Sequence, residues 1–309
     1  MHPNGQDIRP LIGYCCLPLL FVFPAALLLP VINYLASIAA VFAVIYLAYN
    51  KMDILLTIGI TGSLVVLFLI HGAAVWMYAF WGVSVIPGGI FGRAMASGIN
   101  PRRAMIIGMI TAMVLSIILF VMIREPFNES IDAMSSYAMT TLQSLDTSEA
   151  LKADLADNFE SVFEMTKRLA PGFLALNGVA FLFIGWLLLK LLLDMLRKFH
   201  PGLGSFIYWK MPQAFIYVTG LIILLRLIGP DLVKIFADNA LLLVGFFYAL
   251  FGFAVIEYYL KKIRLSIVLK VLLYLGIAFL QLPGLILAAA IGFLDSYFDF
   301  RKVRARLIG

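Results

Sequence analysis

Two long blocks without a charged residue dominate the first third of the chain. The first covers residues 11–49 and the second covers residues 54–90. A helix crosses the hydrocarbon core of a bilayer with about 20 apolar residues, so each block is long enough for two crossings. The composition agrees, because 63% of the residues are hydrophobic and the mean hydropathy is +1.02. We therefore expect a polytopic membrane protein.

The expected fold is all-α, a transmembrane helical bundle. Lipid cannot hydrogen-bond the backbone, so helices are the natural spanning element, and the alternating strands of a barrel are absent. Gln281, Pro283 and Gly284 interrupt the last apolar run, which favours two short helices there over one span. We expect about eight to ten spans in a single membrane domain over residues 1–309. After the two blocks, the apolar runs are residues 104–123, 172–196, 213–229, 240–260 and 265–294.

Basic residues collect in short loops beside the apolar runs. By the positive-inside rule these loops are cytoplasmic, as is the basic tail over residues 295–309. The alternation of the expected spans then places the N-terminus on the cytoplasmic side as well. Basic loops beside spans set the orientation of a membrane protein and contact anionic lipid headgroups. The net charge of +6 therefore does not indicate a nucleic-acid partner. The lipid bilayer is the first expected partner. The loop residues are Arg93, Arg102, Arg103, Arg197, Lys198, Lys210, Lys261, Lys262, Arg264 and Lys270.

Residues 124–171 have the opposite character, with nine acidic and four basic residues, and should lie outside the cytoplasm. Apolar residues recur there at three-four spacing, which predicts an amphipathic helical hairpin. Asp146 is the expected N-cap of its second helix, with Glu149 at the third helical position. The hairpin either extends the flanking spans or serves as a lid or docking element. Binding to the membrane surface is less favoured because anionic lipid repels an acidic face.

Charged and amide side chains at membrane depth are candidate functional residues. Lys190 and Asp194 share a helix face and can form a pair, or line a path for a substrate or proton. Arg226 lies within reach of Asp231, and Glu257 is expected to pair with Lys261 one turn later. Two amides, Asn33 and Asn177, are candidates for bonds between helices or for a polar cavity.

A run of small residues in the second predicted span offers a close-packing face. Its overlapping small-xxx-small pairs suit either internal packing or docking of a second membrane subunit. The chain lacks clustered metal ligands, nucleotide-binding motifs and hydrolase motifs, so we expect no cofactor and no enzymatic activity. The residues of this face are Ala36, Ala39, Ala40 and Ala43.

Two stretches carry a family resemblance. The ending from Gly292 through Asp295, Asp299 and Arg301 to Lys302 resembles the C-terminal signature of the YybS-like family, predicted bacterial inner-membrane proteins with a domain of unknown function. The loop with Gly89, Gly92, Arg93, Gly98, Pro101, Arg102 and Arg103 is similar to the basic inner loop of that family. The family is distantly similar to the substrate-capturing S subunits of energy-coupling-factor transporters. The resemblance implies that the alanine face docks on a coupling subunit.

Asp295 and Asp299 are one helical turn apart, where like charges repel. We hypothesise that the basic inner loop neutralises them and forms a cytoplasmic charge cluster, as a structural clamp or a docking site. Its members are Arg93, Arg102, Arg103, Asp295, Asp299, Arg301 and Lys302.

Two functions remain open from the sequence. In the first, the chain is a transporter component that binds or passes a small molecule, with energy supplied by another subunit. In the second, it is a scaffold that organises protein partners without transport.

Overall fold

The structure is a computed structural model that describes residues 9–26, 30–71, 75–144, 148–196 and 206–302. In these residues the apolar runs form ten α-helices, and no strand is present. The all-α fold is therefore confirmed. A 3-10 helix, Phe206–Tyr208, precedes the seventh α-helix. The α-helices are α1 (Arg9–Ala26), α2 (Pro30–Tyr49), α3 (Asp53–His71), α4 (Val75–Ala96), α5 (Pro101–Ser144), α6 (Glu149–Met195), α7 (Ala214–Ile228), α8 (Asp231–Lys262), α9 (Ile267–Phe279) and α10 (Leu282–Phe298).

The length of the helices bears on how many cross the membrane. Among the described residues, α5, α6 and α8 are each long and apolar enough to span a bilayer. The bent pair of α9 and α10 makes a fourth candidate if it is taken as one broken span. Shorter apolar helices occur within α1, α2, α3 and α7. The count of eight to ten spans remains a prediction, although the helices follow the predicted apolar runs closely.

The chain divides into two compact units, Met1–Pro201 and Gly202–Gly309, a division that the expectation of a single domain did not include. In the first unit α2 is central and packs against α1, α4 and α6. Glycines permit the close approach, since a Cβ on Gly92 of α4 would lie 2.7 Å from the carbonyl oxygen of Ile45, and one on Gly185 of α6 would lie 2.9 Å from Val41. The C-terminal half of α2 is consequently buried.

The hairpin over residues 124–171 is the far end of α5 and α6, which continue as single long helices. The two helices run antiparallel, because Lys167 pairs with Asp132 at 2.7 Å while Lys152 donates to the carbonyl oxygen of Gln143 at 3.3 Å. The amphipathic helices thus extend the flanking apolar helices, the first of the two alternatives above. The predicted cap was wrong: Ser148 is the N-cap of α6 and accepts from the backbone N–H of Leu151.

In the second unit α7 and α10 pack on α8. The α8–α10 crossing is close because a Cβ on Gly252 would lie 1.8 Å from the carbonyl oxygen of Ala288, and one on Gly292 would lie 2.0 Å from that of Tyr248. The two helices end on the same side, since the Tyr259 hydroxyl donates to the carbonyl oxygen of Phe300 at 3.3 Å.

The last apolar run forms two helices, as expected, with their axes bent by 110° between them. The turn after α10 lies beside the segment before α7, where Lys210 pairs with Asp299 at 2.7 Å. A single straight span would have placed these two segments at opposite ends of the unit. The two-helix prediction is therefore confirmed, while the cytoplasmic side of the tail remains a prediction.

Candidate functional site

A buried group of charges at the end of α10 is the most specific polar arrangement of the second unit. We call Lys210, Asp295, Asp299 and Arg301 the C-terminal ion-pair cluster. Asp299 ends α10 in the left-handed conformation, with φ 50° and ψ 51°, and its backbone N–H donates to the carbonyl oxygen of Asp295. The turn that follows brings Arg301 back toward Asp295.

Arg301 is the centre of this cluster. Its side chain is fully buried and pairs with Asp295, whose side chain is 2% exposed, at 2.8 Å. The two terminal nitrogens also donate to the carbonyl oxygens of Ile207 and Trp209, at 2.5 and 2.6 Å. The guanidinium fork therefore ties the C-terminal turn to the segment before α7, a geometry that lysine cannot reproduce with one nitrogen.

The cluster contains the two aspartates that the sequence singled out, but the partners seen here belong to their own unit. Arg301 neutralises Asp295 and Lys210 neutralises Asp299. In the other unit Arg93 pairs with Asp53 at the start of α3. Neutralisation by Arg93, Arg102 or Arg103 remains a prediction. The remaining residues of the predicted cluster, Arg102, Arg103 and Lys302, are exposed.

Sequence reasoning used Lys210 only for topology and so missed its role. Its signal was weak, because a lone lysine beside an aromatic run indicates an interface and names no partner. Arg301 was included in the predicted cluster, but the basic inner loop was expected to neutralise Asp295. Burial of an arginine this near the chain end depends on the left-handed turn at Asp299, which no local sequence pattern predicts.

The sequence predicted the wrong ion-pair partner for two residues, Arg226 and Glu257. Arg226 pairs with Asp238, at 2.5 Å, while Asp231 pairs with Lys234 within the first turn of α8. The turn between α7 and α8 makes the two helices antiparallel neighbours, so the residue that faces Arg226 lies two turns into α8. Long-range pairing of this kind cannot be derived from spacing along one helix.

Glu257 shows the same effect at the other end of α8. It accepts from Lys270 at 2.8 Å and from the Tyr274 hydroxyl at 3.0 Å, both on α9, instead of pairing with Lys261 as predicted. Because Glu257 and Lys270 are largely covered, this pair anchors the first half of α9 to α8.

We expect Asp238→Asn to lower the stability of the second unit by about 1 kcal/mol, because Asp238 is 19% exposed and neutralises a half-covered arginine. Asp231→Asn should have almost no effect, since the carboxylate of Asp231 is 96% exposed. Thermal unfolding of both variants in the same detergent measures the difference. Equal midpoints for the two variants would contradict the pairing.

The remaining intramembrane candidates belong to the first unit. Lys190 lies over the ring of Trp186, 6.0 Å from its centroid, and no Lys190–Asp194 ion pair occurs among those of the described residues. Asp194 is exposed and Asn177 is half-buried, both on α6. The side chain of Asn33 lies outside the described part of the structure. Asn177 and Lys190 lie about 20 Å apart along α6, so the described side chains of this set do not form one site.

The alanine face of α2 is covered by the chain itself. Ala40 and Ala43 are fully buried and Ala36 is 7% exposed, while Ala39 is half-buried. A residue that its own unit already covers offers no surface to a second subunit, so internal packing accounts for this face and the docking role loses its support. The described residues also contain no group of three or more His, Cys, Asp or Glu arranged to hold a metal.

Comparison with known proteins gives one relationship. No curated protein and no solved structure matches the chain. A family model described as "Predicted membrane protein (DUF2232)" matches residues 17–296, which include all ten helices except the ends of the first and last. The long apolar helices agree with this description, and the chain belongs to the DUF2232 family of membrane proteins.

Proposed function

We propose that this protein is a transporter-like component that binds or passes a small molecule at the break between α9 and α10. The observation that supports the proposal is the break between Phe279 and Leu282, where the two helix axes differ by 110°. Discontinuous helices recur at the substrate and ion sites of secondary transporters.

The break matters because it frees backbone groups from helical hydrogen bonds. Gln281 adopts φ 50° and ψ −120°, a left-handed conformation that favours glycine and costs a non-glycine residue roughly 1–3 kcal/mol. The side chains of Leu280, Gln281 and Leu282 are exposed in the chain. Non-helical backbone at membrane depth is tolerated only where protein covers it or water reaches it. An exposed break therefore favours a water-filled path or a partner subunit.

The depth of the break follows from the length of α10. The helix runs from Leu282 to Phe298, which corresponds to about 25 Å. Its far end carries the C-terminal ion-pair cluster, where charges fit the membrane surface. The hydrocarbon core is about 30 Å thick, so an upright α10 places the break inside it.

The resemblance to the YybS-like family, and through it to the S subunits of energy-coupling-factor transporters, forms part of this proposal. A YybS-like protein related to substrate-capturing S subunits would take its energy from a separate coupling subunit, in keeping with the absence of nucleotide motifs in this sequence. The covered alanine face does not provide the contact for such a subunit, so the coupling surface would lie elsewhere. Cytoplasmic termini are proposed on the charge distribution, and a bacterial inner-membrane location on the resemblance to the YybS-like family.

Water access at the break tests the proposal. With Cys15→Ala and Cys16→Ala as background, Gln281→Cys should react with a membrane-impermeant thiol reagent at least ten-fold faster than Leu287→Cys, which lies on the exposed side of α10. The chain should be reconstituted in vesicles, and the reagent applied from each side. Thermal-shift screening of amino acids, nucleosides and vitamins then asks which solute stabilises the protein and protects the thiol of the Gln281→Cys variant.

The scaffold remains the rival function. It predicts that no solute raises the unfolding temperature or protects the thiol of the Gln281→Cys variant, together with protein partners that co-purify. Fast reaction at Gln281→Cys without protection by any solute would point to a water-filled break that a partner subunit completes, and would remove solute binding from the proposal.

A further inference from the structure

One end of the second unit carries lysine and arginine side chains that have no acidic partner. They lie at the end of α8, in the turn between α8 and α9, and in the turn that follows α10. All of them are exposed, and none takes part in an ion pair of the described residues. We call Lys261, Lys262, Arg264 and Lys302 the basic rim.

The acidic residues at this end of the unit are already neutralised by other cations. Glu257 accepts from Lys270 on α9. Asp295 and Asp299 are neutralised within the C-terminal ion-pair cluster. Since each of these carboxylates has a cation of its own, the described residues leave the positive charge of the basic rim without an ion-pair partner.

Two lysines of the rim meet beside one tyrosine. Lys262 lies over the ring of Tyr259, with its Nζ atom 5.9 Å from the ring centroid. The Tyr259 hydroxyl donates to the carbonyl oxygen of Phe300 at 3.3 Å, and Lys302 follows Phe300 by two residues, at most about 8 Å between Cα atoms. The C-terminal turn therefore brings Lys302 close to Lys262. Two ammonium groups at one corner can share the oxygens of a single phosphate group.

The depth of the rim fits the headgroup layer of a bilayer. The apolar stretch of α8 runs from Ala240 to Ile256, and Glu257 is the first charge after it. Lys261 and Lys262 lie about 6–8 Å further along the helix. The headgroup layer on each side of the hydrocarbon core is about 6 Å deep. An upright α8 thus places these lysines at the level of the lipid phosphates.

Exposed apolar side chains stand among the cations of the rim. Ile263, between Lys262 and Arg264, is 63% exposed, and Phe298 and Phe300 are 60% and 45% exposed. Aromatic and basic residues together are typical of the membrane interface. An acidic protein would compensate the charge, but it would also have to displace lipid from these side chains. A lipid with an anionic headgroup satisfies both the charge and the apolar surface.

We propose that the basic rim binds an anionic phospholipid, with its phosphate group between Lys262 and Lys302 and its acyl chains against the neighbouring apolar side chains. Lys261 and Arg264 add to the attraction. The rim lies at the opposite end of α10 from the break, so the site holds whether or not the chain transports a solute.

Lipid binding by the purified chain tests the site. Native mass spectrometry in detergent measures the dissociation constant of the first bound phosphatidylglycerol, with phosphatidylcholine as the neutral probe. One lysine near an anionic membrane surface contributes about five-fold to affinity, so the chain should prefer phosphatidylglycerol by about ten-fold or more. A photoreactive phosphatidylglycerol should label the peptides that contain Lys262 and Lys302.

Neutralising the two lysines supplies the second readout. In the Lys262→Gln, Lys302→Gln variant, affinity for phosphatidylglycerol should fall about ten-fold or more, while affinity for phosphatidylcholine is unchanged. The matched control is Arg102→Gln, Arg103→Gln, which removes two exposed cations from a basic loop of the other unit and should leave the affinity within about two-fold. Equal unfolding midpoints in lipid-free detergent show that the lysine variant has lost binding and not folding.

Three results would each overturn the proposal. An equal loss of affinity in both double variants would reduce the attraction to net charge. Equal binding of the two lipids would leave the rim to an acidic protein segment. Competition by glycerol phosphate at the concentration of the lipid would show that the rim binds a free phosphate ester and not a membrane lipid.

Discussion

Gly252→Ala is expected to destabilise the second unit by about 3 kcal/mol, although glycine to alanine usually favours a helix. The new Cβ would lie 1.8 Å from the carbonyl oxygen of Ala288 and 2.6 Å from its carbonyl carbon. Both are backbone atoms, so no side-chain rotation can relieve the overlap and α8 and α10 must separate. Gly292→Ala should have a similar effect, because its Cβ would lie 2.0 Å from the carbonyl oxygen of Tyr248.

Gly245→Ala on the same helix is the matched control. Nothing lies within 4 Å of a Cβ at that position, so the variant should be as stable as the parent or more stable by about 0.5–1 kcal/mol. Unfolding in mixed detergent micelles, followed by circular dichroism, compares the three variants. If Gly252→Ala and Gly245→Ala unfold at the same midpoint, the close α8–α10 crossing is incorrect.

This crossing shows what sequence patterns can and cannot predict. Gly284, Ala288, Gly292 and Ser296 recur every fourth residue on α10 and are all buried. The same small-residue signal is present in α2, where it was interpreted as a candidate docking face. The pattern predicts that another helix approaches closely, but it does not say which helix. In both units the neighbour belongs to the same chain.

Helix positions could be predicted well because apolar length and turn residues are local properties. Gln281 separates α9 from α10, as the sequence predicts, and a proline, Pro30, is the first residue of α2. The partners of charged residues could not be predicted, because they depend on helix crossings. Arg226 meets Asp238 and Glu257 meets Lys270 only after the helices have packed, whereas nearness along the chain suggested Asp231 and Lys261.

Arg301→Leu is expected to cost about 3–5 kcal/mol, the usual cost of removing one member of a buried ion pair. The change leaves the Asp295 carboxylate, which is 2% exposed, without its counter-charge. It also removes the donors to the carbonyl oxygens of Ile207 and Trp209. Lys302→Leu is the control, because Lys302 is the next residue and is exposed. Unfolding midpoints of the purified variants in the same detergent measure both effects.

The pattern of rescue separates the ion pair from general packing. Asp295→Leu combined with Arg301→Leu should be more stable than either single variant, with a coupling of at least 1 kcal/mol, because no buried charge is then left alone. Arg301→Lys should recover little, since one ammonium group cannot serve Asp295 and two carbonyl oxygens together.

Charge reversal at both Asp295 and Asp299 should be as damaging as Arg301→Leu, because it places two like charges against Arg301 and Lys210. If charge reversal leaves stability unchanged, these four side chains do not form a cluster. If charge reversal is damaging but the double leucine variant shows no rescue, the arginine acts through its carbonyl contacts. The C-terminal turn is then held by the segment before α7 alone.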